Sequence, residues 1–189
     1  MPPTVDRPPD ELAAGKLALL RYRGGEAPVL ARAVSESLEH LRPWMPWAVP
    51  TPTEESLADF VRRALDQWET GESFNYWMRD VATAAFVGGA GLHARLGPAA
   101  IEIGYWVHVG WTRRGFASAA ARALTSAGFG LSGVRRVEIH CDVANVASAG
   151  VPRRLGYRLE RIVDDEAEPA SRTGRSMIWF IDADSWSAR

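Results

Sequence analysis

The sequence is poor in cysteine and has no long hydrophobic run, and these absences exclude several classes of protein. Cys141 is the only cysteine in 189 residues, so the chain forms no internal disulfide, which favours a reducing compartment. No apolar stretch approaches the roughly 20 residues that a membrane-spanning helix needs. Residues 1–7 also lack the apolar centre of a signal peptide. We therefore expect a cytoplasmic protein with no membrane partner.

An excess of charge of either sign is also lacking. The chain has 22 Lys and Arg against 23 Asp and Glu, a formal net charge of −1, which argues against a nucleic-acid partner. Four histidines are scattered without the spacing of metal ligands, so we expect no metal site: His40, His93, His108 and His140. The Gly-x-Ser-x-Gly turn of serine hydrolases is absent as well.

What is present predicts one α/β domain. Hydrophobic residues make up 47% of the chain, enough for a substantial core. Proline- and charge-rich residues 1–15 predict a flexible lead-in, and residues 16–189 a single domain. The alternating and helical periodicities predict the order β-α-α-β-β-β-α-β-α-β-β, with about seven strands and about four helices.

Two local patterns predict where elements begin and bend. Thr51-Pro-Thr-Glu54 has the form of a helix-capping box, with proline at the first helical position. Gly88 and Gly89 lie inside the strand predicted over residues 82–92, where they indicate a bend or bulge.

A proline- and tryptophan-rich segment, residues 43–50, follows the first predicted helix. It has too many prolines for a helix or a central strand. Two interpretations stay open: its tryptophans fill the core, or they form a wall of an acceptor pocket. In the second interpretation Trp44 and Trp47 bind substrate, together with Tyr76 on a later strand.

The segment from Trp111 to Ala120 carries the strongest functional signal. It joins an alternating strand-like run to an alanine-rich helical run, so its glycine and two arginines lie at a helix N-terminus. Backbone N–H groups there lack intrahelical partners, and the helix dipole adds positive charge. Gly115 lets an anion approach the backbone, while Arg113 and Arg114 supply full charges. The pattern favours a pyrophosphate cradle; the alternative is a surface arginine pair.

A second motif follows the next predicted strand. Asn145-Val-Ala-Ser148 precedes Arg153-Arg154-Leu-Gly-Tyr157, and Asn145 is a suitable N-cap for the helix between them. Pro152 removes a backbone hydrogen bond to the Ser148 carbonyl and is expected to disturb that helix.

Taken together, the element order and the two motifs resemble the GNAT family of acyl-CoA-dependent N-acyltransferases. The resemblance covers about residues 15–182 and is greatest to the branch that acetylates the N-termini of ribosomal proteins. The family signature Gln/Arg-x-x-Gly-x-Gly/Ala stands here as Thr112-Arg-Arg-Gly-Phe-Ala117, with a departure at Thr112. In relatives, an Asn-x-x-Ser at the position of Asn145 lies along the pantetheine arm.

The resemblance implies a GNAT fold and an acyl-CoA co-substrate. Its mixed sheet would splay at the strand over residues 100–109, whose backbone at Val107 and Val109 would pair with the pantetheine amides. Acetyl-CoA is the expected co-substrate, with succinyl-CoA or another acyl-CoA as an alternative. The expected cofactor-binding residues are Trp106, Val107, Val109, Arg113, Arg114, Gly115, Phe116, Ala117, Ser118, Asn145 and Arg154.

Acyl transfer to an amine needs a base, an oxyanion site and an acid. We assign these roles to Glu102, to strand N–H groups near Val107, and to Ser148. Glu102 alternates out of phase with its apolar neighbours and so faces the opposite side of the sheet. Glu166 and Glu168 are alternative bases, and Tyr157 is a second candidate acid.

Three functional interpretations stay open at this stage. The first is acetylation of a protein or peptide N-terminus, the second acylation of a small-molecule amine such as an antibiotic, and the third acyl-CoA binding without catalysis. The expected partner is an amine acceptor. Dimers are frequent in the family, so the resemblance also allows a homodimer.

Overall fold

A mixed eight-stranded sheet forms the centre of the structure. The computed structural model describes residues 6–165 and 172–187. Within these ranges the strands are β1 (Glu11–Ala14), β2 (Leu17–Arg21), β3 (Ser73–Asp80), β4 (Phe86–His93), β5 (Ala100–Val107), β6 (Arg136–Asp142), β7 (Arg158–Asp164) and β8 (Arg175–Asp182). The helices are α1 (Ala27–Leu41), α2 (Glu54–Thr70), α3 (Phe116–Phe129), α4 (Val146–Arg154) and α5 (Ala183–Ser187). None of these helices is long and apolar enough to cross a membrane.

The strands follow the order β1-β2-β3-β4-β5-β6-β8-β7, and only the β5–β6 pair is parallel. This confirms the predicted mixed sheet. The strand count is one higher than predicted because Glu11–Ala14 pairs antiparallel with Leu17–Leu20. The prediction of a flexible lead-in is therefore wrong from residue 11 onward, while residues 1–5 lie outside the described ranges. The helix count rises to five with the short α5.

Two hydrophobic clusters cover the two faces of the sheet. On one face, Ile101 and Ile103 of β5 pack with buried residues of α3 and α4. On the other face, α1 and α2 pack over Phe86, with Trp106 of β5 at the margin. The two-residue period of a strand explains why odd and even positions of β5 belong to different clusters.

Helix α2 begins two residues later than the sequence pattern indicated. Its N-cap is Thr53, whose hydroxyl accepts from the Ser56 N–H, while the Ser56 hydroxyl accepts from the Thr53 N–H. The capping box predicted at Thr51–Glu54 is therefore wrong in register. Ser56, at the third helical position, accepts the hydrogen bond that a Glu accepts in the common form of the motif. The sequence therefore contains two overlapping capping-box patterns, one starting at Thr51 and one at Thr53.

The sheet splays between β5 and β6. These strands pair only over Ala100–Glu102 and Arg136–Glu138. Beyond that point β5 continues to Val107 and β6 to Asp142 without pairing to each other. The separation confirms the expected splay, and it opens a passage from one face of the sheet to the other.

A bulge in β4 lies beside the splayed strand. Met78 pairs with Gly88 and Arg79 with Phe86, which leaves Val87 as the additional residue. Gly88 has a φ of +148°, and a Cβ at this position would lie 2.2 Å from the Trp106 carbonyl oxygen and 2.6 Å from the Met78 methyl group. The bend predicted at Gly88 is thus a bulge that brings β4 against the backbone of β5.

We expect Gly88→Ala to destabilise the fold by about 3 kcal/mol, since it combines a disfavoured φ with a clash against backbone. Gly25→Ala is the matched control, because a Cβ there meets nothing within 4 Å and its φ is ordinary. Urea unfolding of both variants measures the difference. Equal stability of the two variants would show that β4 and β5 separate more easily than the packing implies.

Candidate active site

A cleft of about 960 Å³ passes through the splay. On the α3/α4 side its walls include Tyr105 and Ser148, and on the α1/α2 side they include Trp47, Glu102 and His140. The cleft therefore joins the two faces of the sheet at the point where β5 and β6 part. Two molecules that enter from opposite faces can meet inside it.

The N-terminus of α3 has the geometry of an anion cradle. Gly115 is its N-cap, with a φ of +84° and no side-chain capping bond. A Cβ on Gly115 would meet nothing within 4 Å, so the approach to the helix end is open. The Phe116 side chain is buried against Trp111, so this residue presents only its backbone at the helix end. The backbone of Phe116, Ala117 and Ser118 is what the cradle offers to an anion.

The two cradle arginines have different surroundings. Arg114 donates from Nη2 to the Gly110 carbonyl over 3.1 Å, and its guanidinium lies 4.6 Å from the centre of the Trp111 ring. Arg113 has a φ of +62°, is exposed, and forms no hydrogen bond or ion pair with any described residue. Arg114 thus braces the loop, whereas Arg113 is available for a ligand.

A third cation reaches the cradle from α4. Arg154 Nη2 lies 3.3 Å from the Ser118 hydroxyl, in the first turn of α3. A Cβ on Gly150 would lie 2.9 Å from Arg154 Nη1, so the glycine leaves room for this position of the guanidinium. The second sequence motif therefore contributes charge to the first.

The hydrogen bonds of the loop between β5 and α3 do not support Val109 as a cofactor contact. The Val109 N–H donates to the Ser37 hydroxyl over 3.1 Å, and its carbonyl accepts from the Thr112 hydroxyl over 3.1 Å. Both backbone groups of Val109 are thus used within the chain, and its assignment as a pantetheine contact is not supported. Thr112, the departure from the family signature, stabilises this turn. Val107 lies on the part of β5 that β6 leaves unpaired.

Trp106 lies on the α1/α2 side of the cleft. Its indole ring centre is 6.0 Å from that of Trp47 and 5.8 Å from that of Phe86. A Cβ on Gly89 would lie 2.7 Å from the indole nitrogen, so the ring fits against a glycine of the neighbouring strand. The Trp106 side chain was predicted near the cofactor, yet it belongs to the aromatic wall on the α1/α2 side.

Trp44 and Trp47 both line the cleft, and Trp47 is 43% exposed. Tyr76 also borders it, but the residue is only 1% exposed and its hydroxyl donates to the Pro9 carbonyl over 2.8 Å. The tryptophans can contact a substrate directly. Tyr76 instead supports the floor from the core, which corrects its prediction as a substrate-binding residue.

Ser148, in the first turn of α4, is held by hydrogen bonds to two neighbouring residues. Its N–H donates to the Asn145 side chain over 3.0 Å, which confirms Asn145 as the N-cap. The Tyr105 hydroxyl lies 3.2 Å from the Ser148 carbonyl oxygen and 3.1 Å from its hydroxyl. Pro152 has no N–H for that carbonyl, so Tyr105 supplies the missing donor. The role of Tyr105 escaped the sequence reasoning, although the orphaned carbonyl indicated that some donor was needed.

Burial keeps the hydroxyl and thiol groups around Ser148 protonated. It raises the pKa of the Tyr105 phenol, and it raises the pKa of the Cys141 thiol to about 11. Tyr157, the second candidate acid, is 4% exposed and shares a 2.6 Å hydrogen bond with the Thr125 hydroxyl. Tyr157 does not line the cleft and packs in the core beneath α3. Its assignment as a candidate acid is therefore not supported.

Glu102 lies on the face that the strand alternation predicted, but it is 5% exposed rather than solvent-facing. Arg95 donates to both of its carboxylate oxygens, from Nε to Oε2 over 2.7 Å and from Nη2 to Oε1. A carboxylate held in such a fork is a fixed negative charge at the wall of the cleft. The alternative bases Glu166 and Glu168 lie outside the described residues.

Two further polar groups beside Glu102 were missed as functional candidates. Glu138 faces Glu102 across the last parallel pair of β5 and β6, and the His140 Nε2 lies 2.5 Å from its carboxylate. His140 Nδ1 lies 3.6 Å from Glu102 Oε2. The signal in the sequence was the Glu-x-His spacing, which places both side chains on one face of a strand.

Comparisons with known proteins agree with this fold. The family described as an acetyltransferase (GNAT) domain matches residues 16–158. No curated protein sequence matches the chain. Among solved structures, RimL, a ribosomal L7/L12 alpha-N-protein acetyltransferase in complex with coenzyme A, has a TM-score of 0.84 at 21% identity, over 93% of this chain and 99% of that one.

Two other solved structures share the fold at similarly low identity. RimJ from Mycobacterium smegmatis, in complex with CoA-disulfide, has a TM-score of 0.82 at 23% identity and covers 94% of this chain and 90% of its own. The microcin C7 self-immunity acetyltransferase MccE, in complex with acetyl-CoA and AMP, has a TM-score of 0.80 at 16% identity. The match covers 89% of this chain and 93% of MccE. The family match over most of the chain, joined to this common fold, shows that the chain belongs to the GNAT acetyltransferase family.

Proposed function

We propose that the protein transfers an acetyl group from acetyl-CoA to the N-terminal amine of a polypeptide. Family membership makes it an acyl-CoA-dependent acetyltransferase. The observation that carries the finer proposal is the cleft through the splay, whose α1/α2 side is lined by Trp44, Trp47 and Trp106. A chain terminus can enter such an opening end-on, and structural neighbours include acetyltransferases named for ribosomal proteins.

The path of acetyl-CoA follows from the order of these features. The pyrophosphate binds the open N–H groups of α3, with Arg113 and Arg154 supplying positive charge. The pantetheine arm runs along the unpaired edge of β5 beside Val107 and passes Asn145. This places the thioester in the splay near Ser148, with the backbone N–H groups of β5 as the oxyanion site.

The reaction consists of one bond made and one broken. The amine nitrogen bonds to the thioester carbonyl carbon, the C–S bond breaks, and the thiolate takes up a proton. Ser148 is the proton donor, since its residue lines the cleft and its hydroxyl lies 3.1 Å from that of Tyr105. The proton lost by the amine goes to a base on the α1/α2 side of the splay.

We expect Arg113→Gly to raise the Kd for acetyl-CoA about 10-fold, because a charge-assisted contact to phosphate is lost. Glycine suits the left-handed backbone at this position, so the change removes the charge without strain. Arg113→Lys should retain most of the affinity. Isothermal calorimetry measures both, with Arg62→Ala on the exposed face of α2 as the control for net charge. Wild-type affinity in Arg113→Gly would move the pyrophosphate away from this loop.

We expect Ser148→Ala to lower kcat about 100-fold while the Kd for acetyl-CoA is unchanged, because only the proton donor is removed. Ser35→Ala, at an exposed site on α1, is the matched control. Thiol release is followed with a chromogenic disulfide. Retention of full turnover would remove Ser148 from the chemistry.

The acceptor class is tested with wild-type protein and acetyl-CoA, against peptides with free and blocked N-termini and against a panel of small primary amines. We expect turnover of the free peptides alone. Turnover confined to small amines would replace the peptide proposal with a metabolite or antibiotic acceptor. Acetyl-CoA binding without turnover of either set would indicate a binding module.

A further inference from the structure

The α1/α2 side of the splay carries a histidine whose two ring nitrogens have different surroundings. His140 is on β6, lines the cleft, and has a side chain that is 25% exposed. Nε2 lies 2.5 Å from Glu138 Oε2. Nδ1 has no partner within hydrogen-bonding distance among the described residues, and the nearest carboxylate oxygen, Glu102 Oε2, is 3.6 Å away.

The Glu138 carboxylate fixes which nitrogen carries the proton. It is 6% exposed and also accepts a hydrogen bond from Arg136 Nε. An ionised carboxylate only accepts hydrogen bonds, so the 2.5 Å contact requires Nε2 to be the donor. In the neutral ring, Nδ1 is then left with its lone pair free.

His140 Nδ1 lies 3.6 Å from Glu102 Oε2, and both residues line the cleft. Arg95 holds both oxygens of Glu102, and the lone pairs they use for that ion pair are not available for the amine. His140 Nδ1 has no hydrogen-bond partner among the described residues and can accept a proton directly, whereas both oxygens of Glu102 are engaged by Arg95. The two groups therefore differ in what they can do for an incoming amine.

We propose that His140 is the general base of the acetyl transfer and that Glu138 positions it, with Glu102 as a fixed charge that attracts the ammonium. The bound ammonium gives one proton to His140 Nδ1, and the neutral amine then attacks the thioester carbonyl carbon. The C–S bond breaks, the thiolate receives a proton from Ser148, and the amide nitrogen loses its second proton to water. His140 releases its proton to water and Ser148 regains one from water, so the overall change is ammonium and thioester to amide, thiol and one released proton. This inference rests on the proposed function.

Charged groups face His140 from several elements, and each bears on its titration. Glu138 and, behind it, Arg136 lie on its own strand, while Glu102 and Arg95 face it from the β5 side. Asp142, Asp165 and Arg172 line the cleft toward the end of β6.

The first test compares His140→Ala with Glu102→Gln in peptide acetylation across pH 5.5–9, at saturating acetyl-CoA. We expect His140→Ala to lower kcat about 100-fold, to lose the fall of kcat/KM at low pH, and to keep the wild-type Kd for acetyl-CoA. Glu102→Gln should raise KM and retain that acidic limb. The reverse pattern would make Glu102 the base and overturn the inference. His40→Ala, at an exposed site on α1, is the matched control.

The variant Glu138→Gln tests whether Glu138 positions His140 for catalysis or only contributes to packing. We expect a loss of about 10-fold in kcat and an acidic limb that moves to lower pH, because the imidazolium loses a neighbouring negative charge. A merely structural role would lower the melting temperature and leave the pH profile in place.

A measurement on the wild type keeps this inference separate from the proposed function. Nitrogen-15 NMR of the imidazoles reports the tautomer without any acceptor, and we expect His140 to carry its proton on Nε2. A proton on Nδ1 would overturn the inference whatever the enzyme acetylates. Failure of the wild type to acetylate any amine would instead count against the proposed function.

Discussion

The divergence of β5 from β6 is the constraint on which the rest of the site depends. The two strands share only three residue pairs, and the unpaired backbone beyond them would be unfavourable if it were sealed in an apolar core. The cleft gives those groups access to solvent and to a ligand. It also brings side chains from opposite faces of the sheet within reach of one reacting centre.

Several features away from the cleft keep this opening in place. The bulge at Val87 and the absence of a side chain at Gly88 let β4 approach the backbone of Trp106. Ser37 on α1 accepts from the Val109 N–H and ties the end of the splayed strand to the helix layer. Tyr105 links β5 to α4 through Ser148. Strand β5 is thus held by β4, α1 and α4 where it parts from β6.

The proposed catalytic chemistry divides between the two faces of the sheet. Protonated hydroxyls and a protonated thiol surround Ser148 on the α3/α4 side, which suits donation to a departing thiolate. Carboxylates and His140 occupy the α1/α2 side, which suits an ammonium that must lose a proton.

The sequence by itself determined the features that depend on neighbouring residues. Periodicity predicted the element order, Gly115 and Asn145 marked two helix starts, and strand alternation put Glu102 on the correct face. Only the tertiary structure determined which side chains form hydrogen bonds and ion pairs with one another. Arg95 and Glu102 meet through a strand pairing, Ser148 and Tyr105 meet across 43 residues, and Ser37 reaches Val109 across 72. These contacts depend on strand register and on how the helices pack on the sheet. Patterns among neighbouring residues do not predict either of these.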